Sequence, residues 1–466
     1  MRLILESYLD YKISYFANQL LTVQVLGGSC RGSISLTNIR RKANVSAFVV
    51  SLDSRMIDGV MVATINDDMF APDVIQDPYG YYGQIRDEDP VHWNELYELW
   101  VITRHDDLVW LARNHEQFSN SVWVRDPRPA YPAIYESDQE LYDFMRDFRG
   151  DQFIQFDRPE HLAMRKVVHS YFTPKSMEEW RPLVKSAINE LLDTAEENSD
   201  VDLMRDLAVP LPVLVIAEMM GVPESERPHI RMLAEKLLHA GRGEPDRMRI
   251  VAEGLQGMLD YVNPLVDERI VNPKNDFISV LASGEKSGVF TRQQVLVNTS
   301  LLLVAGHETT INLICNGALA LMNNRDQWDL LKTDTQGLMV RATEEALRYD
   351  PPVKSIARIA TEDVEVRGKL IKKDDRIRWF VSAANRDPNK FENPDTMDIT
   401  RWPNPHVAFG SGVHHCLGAT IARVEGQEVF SALAERYPNL ELKTHDMEYL
   451  PSIPFRSIKS MPVSLN

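Results

Sequence analysis

Cysteines and long apolar runs are both scarce in this chain. Only three of its 466 residues are cysteines, Cys30, Cys315 and Cys416, which argues against a disulfide framework and for a reducing compartment. No run approaches the roughly 18 apolar residues typical of a membrane-spanning helix. The N-terminal residues lack a secretory pattern because charged side chains interrupt them. We therefore expect a cytoplasmic protein without a membrane span.

The chain also lacks the basic character of nucleic-acid-binding proteins. Its formal net charge is −17, which makes nucleic acid an unfavourable partner. Hydrophobic residues make up 44% of the chain and charged residues 26%, as is usual for globular proteins. No internal repeat or low-complexity tract is present, so the length indicates one large domain or a few ordinary ones.

Charge and residue usage change near residue 66. Residues 1–66 are net basic and rich in Gly and Ser without an amphipathic period, whereas the rest of the chain is strongly acidic. We predict an N-terminal extension of undefined role over 1–66 and a single domain over 67–466. Met61 is a candidate alternative start of the protein.

Apolar spacing predicts a mainly α-helical fold with small β-sheets. Intervals of three and four separate the apolar residues of several long segments, which indicates amphipathic helices. These helical segments are 175–197, 226–240 and 247–270. The predicted strands are short and occupy 99–103, 364–371 and 376–381.

The stretch FGSGVHHCLG, residues 409–418, places one cysteine in a glycine-rich loop. Zinc is disfavoured because structural zinc ligands come in spaced pairs, unlike the adjacent His414, His415 and Cys416. A cysteine nucleophile would lack a recognisable protease signature. The remaining alternatives are an inert buried thiol, the ordinary state of a lone cysteine, and the single thiolate ligand of a haem iron.

The residues around Cys416 favour haem. Gly410 and Gly412 allow tight turns and the close approach of a flat cofactor. Apolar spacing predicts an amphipathic helix directly after the cysteine. The dipole and unpaired amides of its N-terminus are expected to lower the thiol pKa and to keep the sulfur ionised.

FGSGVHHCLG resembles the haem-binding loop of the cytochrome P-450 family at every position of its pattern, and the resemblance runs from about Phe70 to the C-terminus. It implies the P-450 fold, in which haem b lies between a long oxygen-activation helix and the cysteine loop. It also implies that Cys416 ligates the iron. The other loop residues that it assigns to haem binding are Phe409, Gly410, Gly412 and Gly418.

A long apolar helix predicted from Thr291 contains a polar interruption, AGHETT, at 305–310. An ionisable Glu308 beside Thr309 is costly inside a buried helix, although Thr hydroxyls often bond back to the preceding turn. AGHETT resembles the oxygen-activation motif of the family. The resemblance implies that Thr309 holds a proton network and that Glu308 is the acid that feeds it.

Haem carries two propionate groups that need cationic partners. The stretch EHLAMR places His161 and Arg165 four residues apart on one helix face, a pattern that more often marks solvated surface. The family resemblance implies that these two residues bind the propionates, together with Arg358 and His414.

A second helical pair, Glu345 and Arg348 in EEALRYDPPV, is by itself typical of a surface ion pair worth about 0.2–0.5 kcal/mol. The resemblance implies instead a buried pair that supports the thiolate loop. Its third partner is expected in the segment before that loop, where Arg401 and His406 are candidates. Thr396 occupies the position at which many members carry Arg.

The residues and the resemblance together predict a cytochrome P-450 monooxygenase that inserts one atom of O2 into a small apolar organic substrate. No flavin or iron–sulfur segment is visible, so electrons are expected from a ferredoxin and an NAD(P)H-dependent ferredoxin reductase. One alternative is a peroxide-driven hydroxylase or decarboxylase on the same fold, and another is a haem-binding sensor without turnover. Glu308 and Thr309 argue against both.

Substrate and partner contacts follow from the same resemblance. The expected substrate-contacting positions are 119–150, Leu302, Ala305, 353–356 and 452–455. Arg423 and Lys166 are expected to steer an acidic ferredoxin to the thiolate side.

Overall fold

The computed structural model describes residues 65–126, 139–237 and 246–465, together with the backbone of 54–57 and 60–63. The chain divides into two units, Met1–Thr64 and Ile65–Asn466. In the first unit, strands β1 (Ser54–Ile57) and β2 (Val60–Ala63) form an antiparallel hairpin. The rest of the predicted extension lies almost wholly outside the described residues.

Helices dominate the second unit. In chain order they are α1 (Pro72–Gln76), α2 (Pro78–Glu88), α3 (His105–Arg113), α4 (Val122–Arg125), α5 (Gln139–Gly150), α6 (Glu160–His169), α7 (Pro174–Glu178), α8 (Arg181–Glu196), α9 (Pro210–Met219), α10 (Arg227–Leu237), α11 (Arg247–Val271), α12 (Phe277–Lys286), α13 (Arg292–Asn323), α14 (Arg325–Thr333), α15 (Thr335–Tyr349), α16 (Val381–Ala384) and α17 (Ala419–Arg436). None of the helices in the described ranges is long and apolar enough to cross a membrane.

The strands of the second unit are short. They are β3 (Val91–Asn94), β4 (Leu99–Ile102), β5 (Phe118–Ser119), β6 (Val201–Asp202), β7 (Ser355–Ala360), β8 (Val364–Val366), β9 (Lys369–Ile371), β10 (Arg376–Phe380), β11 (Glu441–Leu442) and β12 (Pro462–Ser464). The largest sheet has the order β3-β4-β10-β7-β5, in which only β4 and β10 are parallel. The predicted fold class, mainly helical with small sheets, is confirmed.

Helix α13 is the central element of the unit. Thr291 caps it through a reciprocal bond pattern with Gln294, a capping box that satisfies the first amides of the helix. Most of its residues are buried against α9, α11, α12, α15 and α17. At Gly317 a Cβ atom would collide with the Phe430 ring of α17, so the glycine permits the close crossing of the two helices.

One predicted helix is wrong in its extent. The segment 175–197 forms two helices, α7 and α8, instead of one continuous helix. Pro182 lies in the first turn of α8, and because proline lacks an amide hydrogen it favours the start of a helix over its interior.

Candidate active site

A cavity of about 370 Å³ lies between α13 and the loop 409–418. Thr309 of α13 and Cys416 of the loop both line it. Most other lining side chains are apolar, including Ile216, Phe277, Leu301, Leu302, Ala305, Val353 and Ile356. The charged residues that line the cavity within the described ranges are Arg165, Arg358 and Glu425. Its size and apolar lining are those of a small-molecule or cofactor site.

Backbone geometry fixes the cysteine loop. The Cys416 amide donates to the Phe409 carbonyl oxygen at 2.9 Å, which closes the loop on itself. Gly410 and Gly412 have φ angles of 68° and 71°, which are strained for other residues. A Cβ at Gly412 would also clash with the carbonyl oxygen of Ala112 at the end of α3. Glycine is therefore required where the loop touches α3.

The net shift of the Cys416 pKa is opposite to the sequence-based expectation. Cys416 is exposed where it lines the cavity. The surrounding protein atoms still keep water from the sulfur, which raises the pKa of the thiol, while the Gly418 amide and the cations Arg165 and Arg423 oppose that rise. The helix N-terminus acts in the expected direction, but desolvation outweighs it. A thiol that coordinates a metal ion is deprotonated outright. Across the described residues, no group of three or more His, Cys, Asp or Glu side chains could hold a metal ion, so a single-thiolate site fits better than zinc.

Two histidines predicted for propionate binding lie together beside the cavity. The rings of His161 and His414 have their centroids 3.9 Å apart, and the Phe153 ring stacks parallel to that of His161. His161 is buried, and its Nε2 atom has no hydrogen-bond partner in the described structure. Burial and the nearby Arg165 lower the pKa of His161 to about 4. An unsatisfied buried nitrogen indicates a missing acceptor.

The two predicted arginines face the same cavity. Arg165 donates to the His415 carbonyl oxygen at 2.5 Å, and Arg358 donates to the Ala357 carbonyl oxygen at 2.7 Å. Neither guanidinium forms an ion pair among the described residues. Burial lowers the pKa of Arg358 to about 9, and the charge of Asp157 opposes that shift. Four cationic or titratable groups that form no ion pair in the described structure fit a ligand with two carboxylates. The residues present therefore fit haem.

The acid and the alcohol of AGHETT occupy different positions relative to the cavity. The Thr309 side chain lines it, and its hydroxyl donates to the Ala305 carbonyl oxygen at 2.7 Å. Glu308 is half-buried and does not line the cavity. Burial raises the pKa of Glu308 to about 7, against the opposing effects of Ser457 and Arg149. At neutral pH this carboxyl group can therefore either hold or release a proton.

Two polar side chains anchor the segment between β5 and α6 at its ends. Asp157 accepts hydrogen bonds from the Ser119 hydroxyl at 2.5 Å and from the Asn120 amide at 3.2 Å. Asn298 of α13 accepts from the Phe153 amide at 2.8 Å and donates to the Asp151 carbonyl oxygen at 3.2 Å. These hydrogen bonds hold the chain at residues 119–120, directly at β5, and at residues 151–153, shortly before α6 begins.

Glu345 and Arg348 form a fully buried pair with Nη2–Oε1 and Nε–Oε2 distances of 2.7 and 2.8 Å. Glu345 also accepts from the Asp398 amide and the Asn404 side chain, and Arg401 lies 3.3 Å from it. Arg401 is thus the third partner. The other candidate, His406, contacts Glu344 at 3.2 Å instead.

Glu344 also changes the interpretation of one proposed docking cation. Its carboxylate binds Arg423 through Nε at 2.6 Å and Nη2 at 2.9 Å, and the guanidinium stacks on Phe409 at 4.5 Å. Lys166 is exposed on α6 and has no ion pair within the described residues. Of the two proposed docking cations, Arg423 is thus paired with Glu344 of α15 and packed on Phe409 of the loop, whereas Lys166 keeps a charge without an ion-pair partner in the described part of the chain.

The pocket predictions are met in part. Leu302, Ala305, Val353 and Ile356 line the cavity, whereas the segment 452–455 does not. Within 119–150, Asn120 lines the cavity and the other described residues do not, while 127–138 lie outside the described residues. Polar cavity residues that the sequence analysis missed are Asn298, Thr310 and Glu425. Each is a polar residue within a largely apolar helix, and that is the signal that could have marked them.

Comparison with known proteins agrees with this geometry. The family model "Cytochrome P450" matches residues 247–452. The polyketide biosynthesis cytochrome P450 PksS of Bacillus subtilis is 35% identical over 404 residues, which cover 84% of this chain and 96% of the relative. The cytochrome P450 monooxygenase PikC of Streptomyces venezuelae is 33% identical over 402 residues, 84% of this chain and 92% of PikC.

A solved structure is similar over the same range. P450BioI in complex with an acyl carrier protein that carries hexadec-9Z-enoic acid superposes with a TM-score of 0.76 at 31% identity, covering 84% of this chain and 99% of that one. Sequence and structure comparisons together show that the chain belongs to the cytochrome P450 family of monooxygenases.

Proposed function

We propose that the protein is a haem b monooxygenase that inserts one oxygen atom from O2 into an apolar organic substrate. Haem, when bound, supplies the iron at which O2 is activated. Cys416 would hold the iron, and His161, Arg165, Arg358 and His414 would hold the propionates. Phe409, Gly410, Gly412 and Gly418 would shape the loop around the sulfur.

The observation that carries this proposal is the position of Thr309 in the same cavity as Cys416, with Glu308 beside it. The Thr309 hydroxyl gives its own proton to the Ala305 carbonyl oxygen, so its oxygen lone pairs can accept a proton donor in the cavity. Glu308, with a pKa of about 7, can replace protons as they are used. Controlled proton supply of this kind serves a reductive O2 reaction and has no use in a passive ligand carrier.

The lining supports the substrate class. Once the propionate-binding arginines are assigned, Glu425 is the only charged residue left on the cavity wall within the described ranges, so the part of a substrate near Thr309 is uncharged. For electrons we propose a ferredoxin and an NAD(P)H-dependent reductase. We also propose a cytoplasmic location, in line with the low cysteine count.

The test begins with the purified haem-bearing protein and a panel of ligands monitored by the spin-state change of the haem spectrum. Relatives suggest the panel: a carrier-tethered fatty acid for P450BioI, and testosterone or corticosterone for CYP109E1. A binder is then incubated with ferredoxin, reductase and NAD(P)H, or with hydrogen peroxide alone. Oxygenated product that depends on O2 and the electron donors supports the proposal.

The alternatives give different outcomes in the same assay. Product with hydrogen peroxide but none with ferredoxin would establish a peroxide-driven enzyme on this fold. Ligand binding without electron-driven O2 consumption for any binder would indicate a haem-binding sensor.

A further inference from the structure

A second buried acid reaches the cavity from the thiolate side of the fold. Glu425 lies on α17, nine residues after Cys416, and its side chain lines the same cavity as Cys416 and Thr309. The residue is only 4% exposed. Helix α13 contacts Glu425 at the end of the AGHETT motif, where the hydroxyl of Thr310 donates to Glu425 Oε2 at 3.3 Å.

The hydrogen bonds of this carboxyl group are incomplete. Its other oxygen, Oε1, is buried and has no partner in the described structure. A buried carboxylate with a single neutral donor is costly, and protonation removes that cost. Burial accordingly raises the pKa of Glu425 to about 8, with a small opposing effect of Thr310.

Within the described residues, burial and the Thr310 hydrogen bond account for the shift of the Glu425 pKa, and no cation contributes to it. The elements packed against α17 are α7, α8, α13, α14 and α15. The ion-paired groups around it are Glu344 with Arg423 and His406, Glu345 with Arg348 and Arg401, Glu428 with Arg181, and Arg436 with Asp193 and Glu196. The other titratable groups that line the cavity are Cys416, His414, His415, Arg165 and Arg358, and His161 contacts His414. The titratable groups of α13 are Arg292, His307, Glu308 and Cys315.

We propose that Glu425 is a redox-linked protonation site: in mildly alkaline solution, where its carboxyl group is ionised in the oxidised protein, it binds a proton from solvent when the haem iron gains an electron and releases it when the iron is reoxidised. The inference rests on haem binding as proposed above. The added electron is the only change in charge on the iron, and the proton taken up by the Glu425 carboxylate balances it.

The direction follows from electrostatics in a poorly solvated cavity. Reduction adds one negative charge to the cavity that Glu425 lines, so the proton of its carboxyl group is held more tightly in the reduced protein. Because the two steps are linked, the reduction potential must fall as pH rises through the range in which the oxidised protein loses this proton. For one proton per electron the limiting slope is about 59 mV per pH unit.

The test measures the midpoint potential of the haem protein between pH 6 and pH 10 in the parent and three variants. In the parent we expect a flat region followed by a fall above about pH 8. Glu425→Gln keeps the shape of the side chain but cannot ionise, so its potential should stay flat across that range. Glu308→Gln is the matched control for the other acid and should keep the fall.

The third variant tests the hydrogen bond. Thr310→Val removes the donor that stabilises the Glu425 carboxylate, so the fall should begin at a higher pH than in the parent. Infrared difference spectra between the reduced and oxidised protein provide a readout independent of potential. A protonated-carboxyl band should appear on reduction above pH 8 in the parent and in Glu308→Gln, and it should be missing in Glu425→Gln.

The outcomes separate this inference from the proposed function. A haem-bearing Glu425→Gln protein with the parent slope and the parent infrared band would overturn the redox-linked role alone. A parent protein that does not bind haem would overturn both proposals. If Glu425→Gln does not fold, Glu425→Asp and Thr310→Val decide: a fall at the parent pH in both variants would refute the assignment.

Discussion

Replacing Glu345 by Gln should destabilise the protein more than any other single isosteric change near the cysteine loop. The side chains of Glu345 and Arg348 are both 0% exposed, and the carboxylate also accepts from the Asp398 amide at 2.8 Å and from Asn404 at 3.0 Å. Gln removes the charge and leaves Arg348 buried without its counter-ion. Breaking a buried pair in this way costs about 3–5 kcal/mol, a change in the unfolding equilibrium of more than a hundredfold.

The matched control is Glu344→Gln, one residue earlier on the same helix. Glu344 binds Arg423 and His406, but the Arg423 side chain is 31% exposed, so solvent screens part of the interaction. We expect a loss near the low end for charged hydrogen bonds, about 1.5 kcal/mol. Burial would raise the pKa of Glu344, but the hydrogen bonds from His406 and Arg423 outweigh it and lower that pKa to about 2. The contribution of Glu344 to stability is therefore complete above pH 4.5 and disappears only as pH falls towards 2.

The assay is urea unfolding at neutral pH, followed by far-ultraviolet circular dichroism and by haem absorbance. The midpoints should rank parent, then Glu344→Gln, then Glu345→Gln. Haem should be lost from Glu345→Gln before the helices unfold, because Asp398 and Asn404 belong to the segment that leads into the cysteine loop. Coincident midpoints for the two variants would refute the view that the buried network, more than the surface pair, supports that loop.

Four further predictions concern the site and its surroundings. Cys416→Ser should abolish the thiolate-type spectrum of the reduced carbon-monoxide complex, and an unchanged spectrum would contradict iron ligation by this residue. Thr309→Ala should retain haem but divert reducing equivalents to peroxide, measured as product per NAD(P)H; equal coupling to the parent would count against its role. A chain that begins at Met61 should fold with haem bound, and insolubility of that chain alone would show that the extension is needed. Lys166→Glu should slow ferredoxin-driven reduction at low salt and converge with the parent at high salt, whereas an effect of Arg423→Glu would also include the lost ion pair with Glu344.

The sequence predicted the main features of the fold because they arise from local patterns. The apolar period and the Thr291 cap define α13, and Pro351 and Pro352 follow the end of α15. The ten-residue cysteine motif carries its own turn geometry in Gly410 and Gly412. Signals of this kind depend on neighbouring residues only, so they can be recognised in the sequence without knowledge of any tertiary contact.

The rest depended on contacts between distant segments. Arg401 and His406 are both cationic candidates five residues apart, and only the folded chain shows which of them reaches Glu345. Glu425, Gln427 and Glu428 are polar residues of a helix predicted only as amphipathic, and all three are buried because helices surround α17 on several sides. The Cys416 pKa was predicted from one favourable dipole, while the opposing desolvation became visible only in three dimensions.

The hydrogen bonds formed by Asp157 and Asn298 couple two parts of the site mechanically. Asp157 holds residues 119–120, and Asn298 of α13 holds residues 151–153, a few residues before α6 begins at Glu160. A shift of α13 at Asn298 would therefore pass along a short stretch of chain to the helix that carries His161 and Arg165. The wall of the cavity that contains Thr309 and the helix that contains these two residues are thus expected to move together.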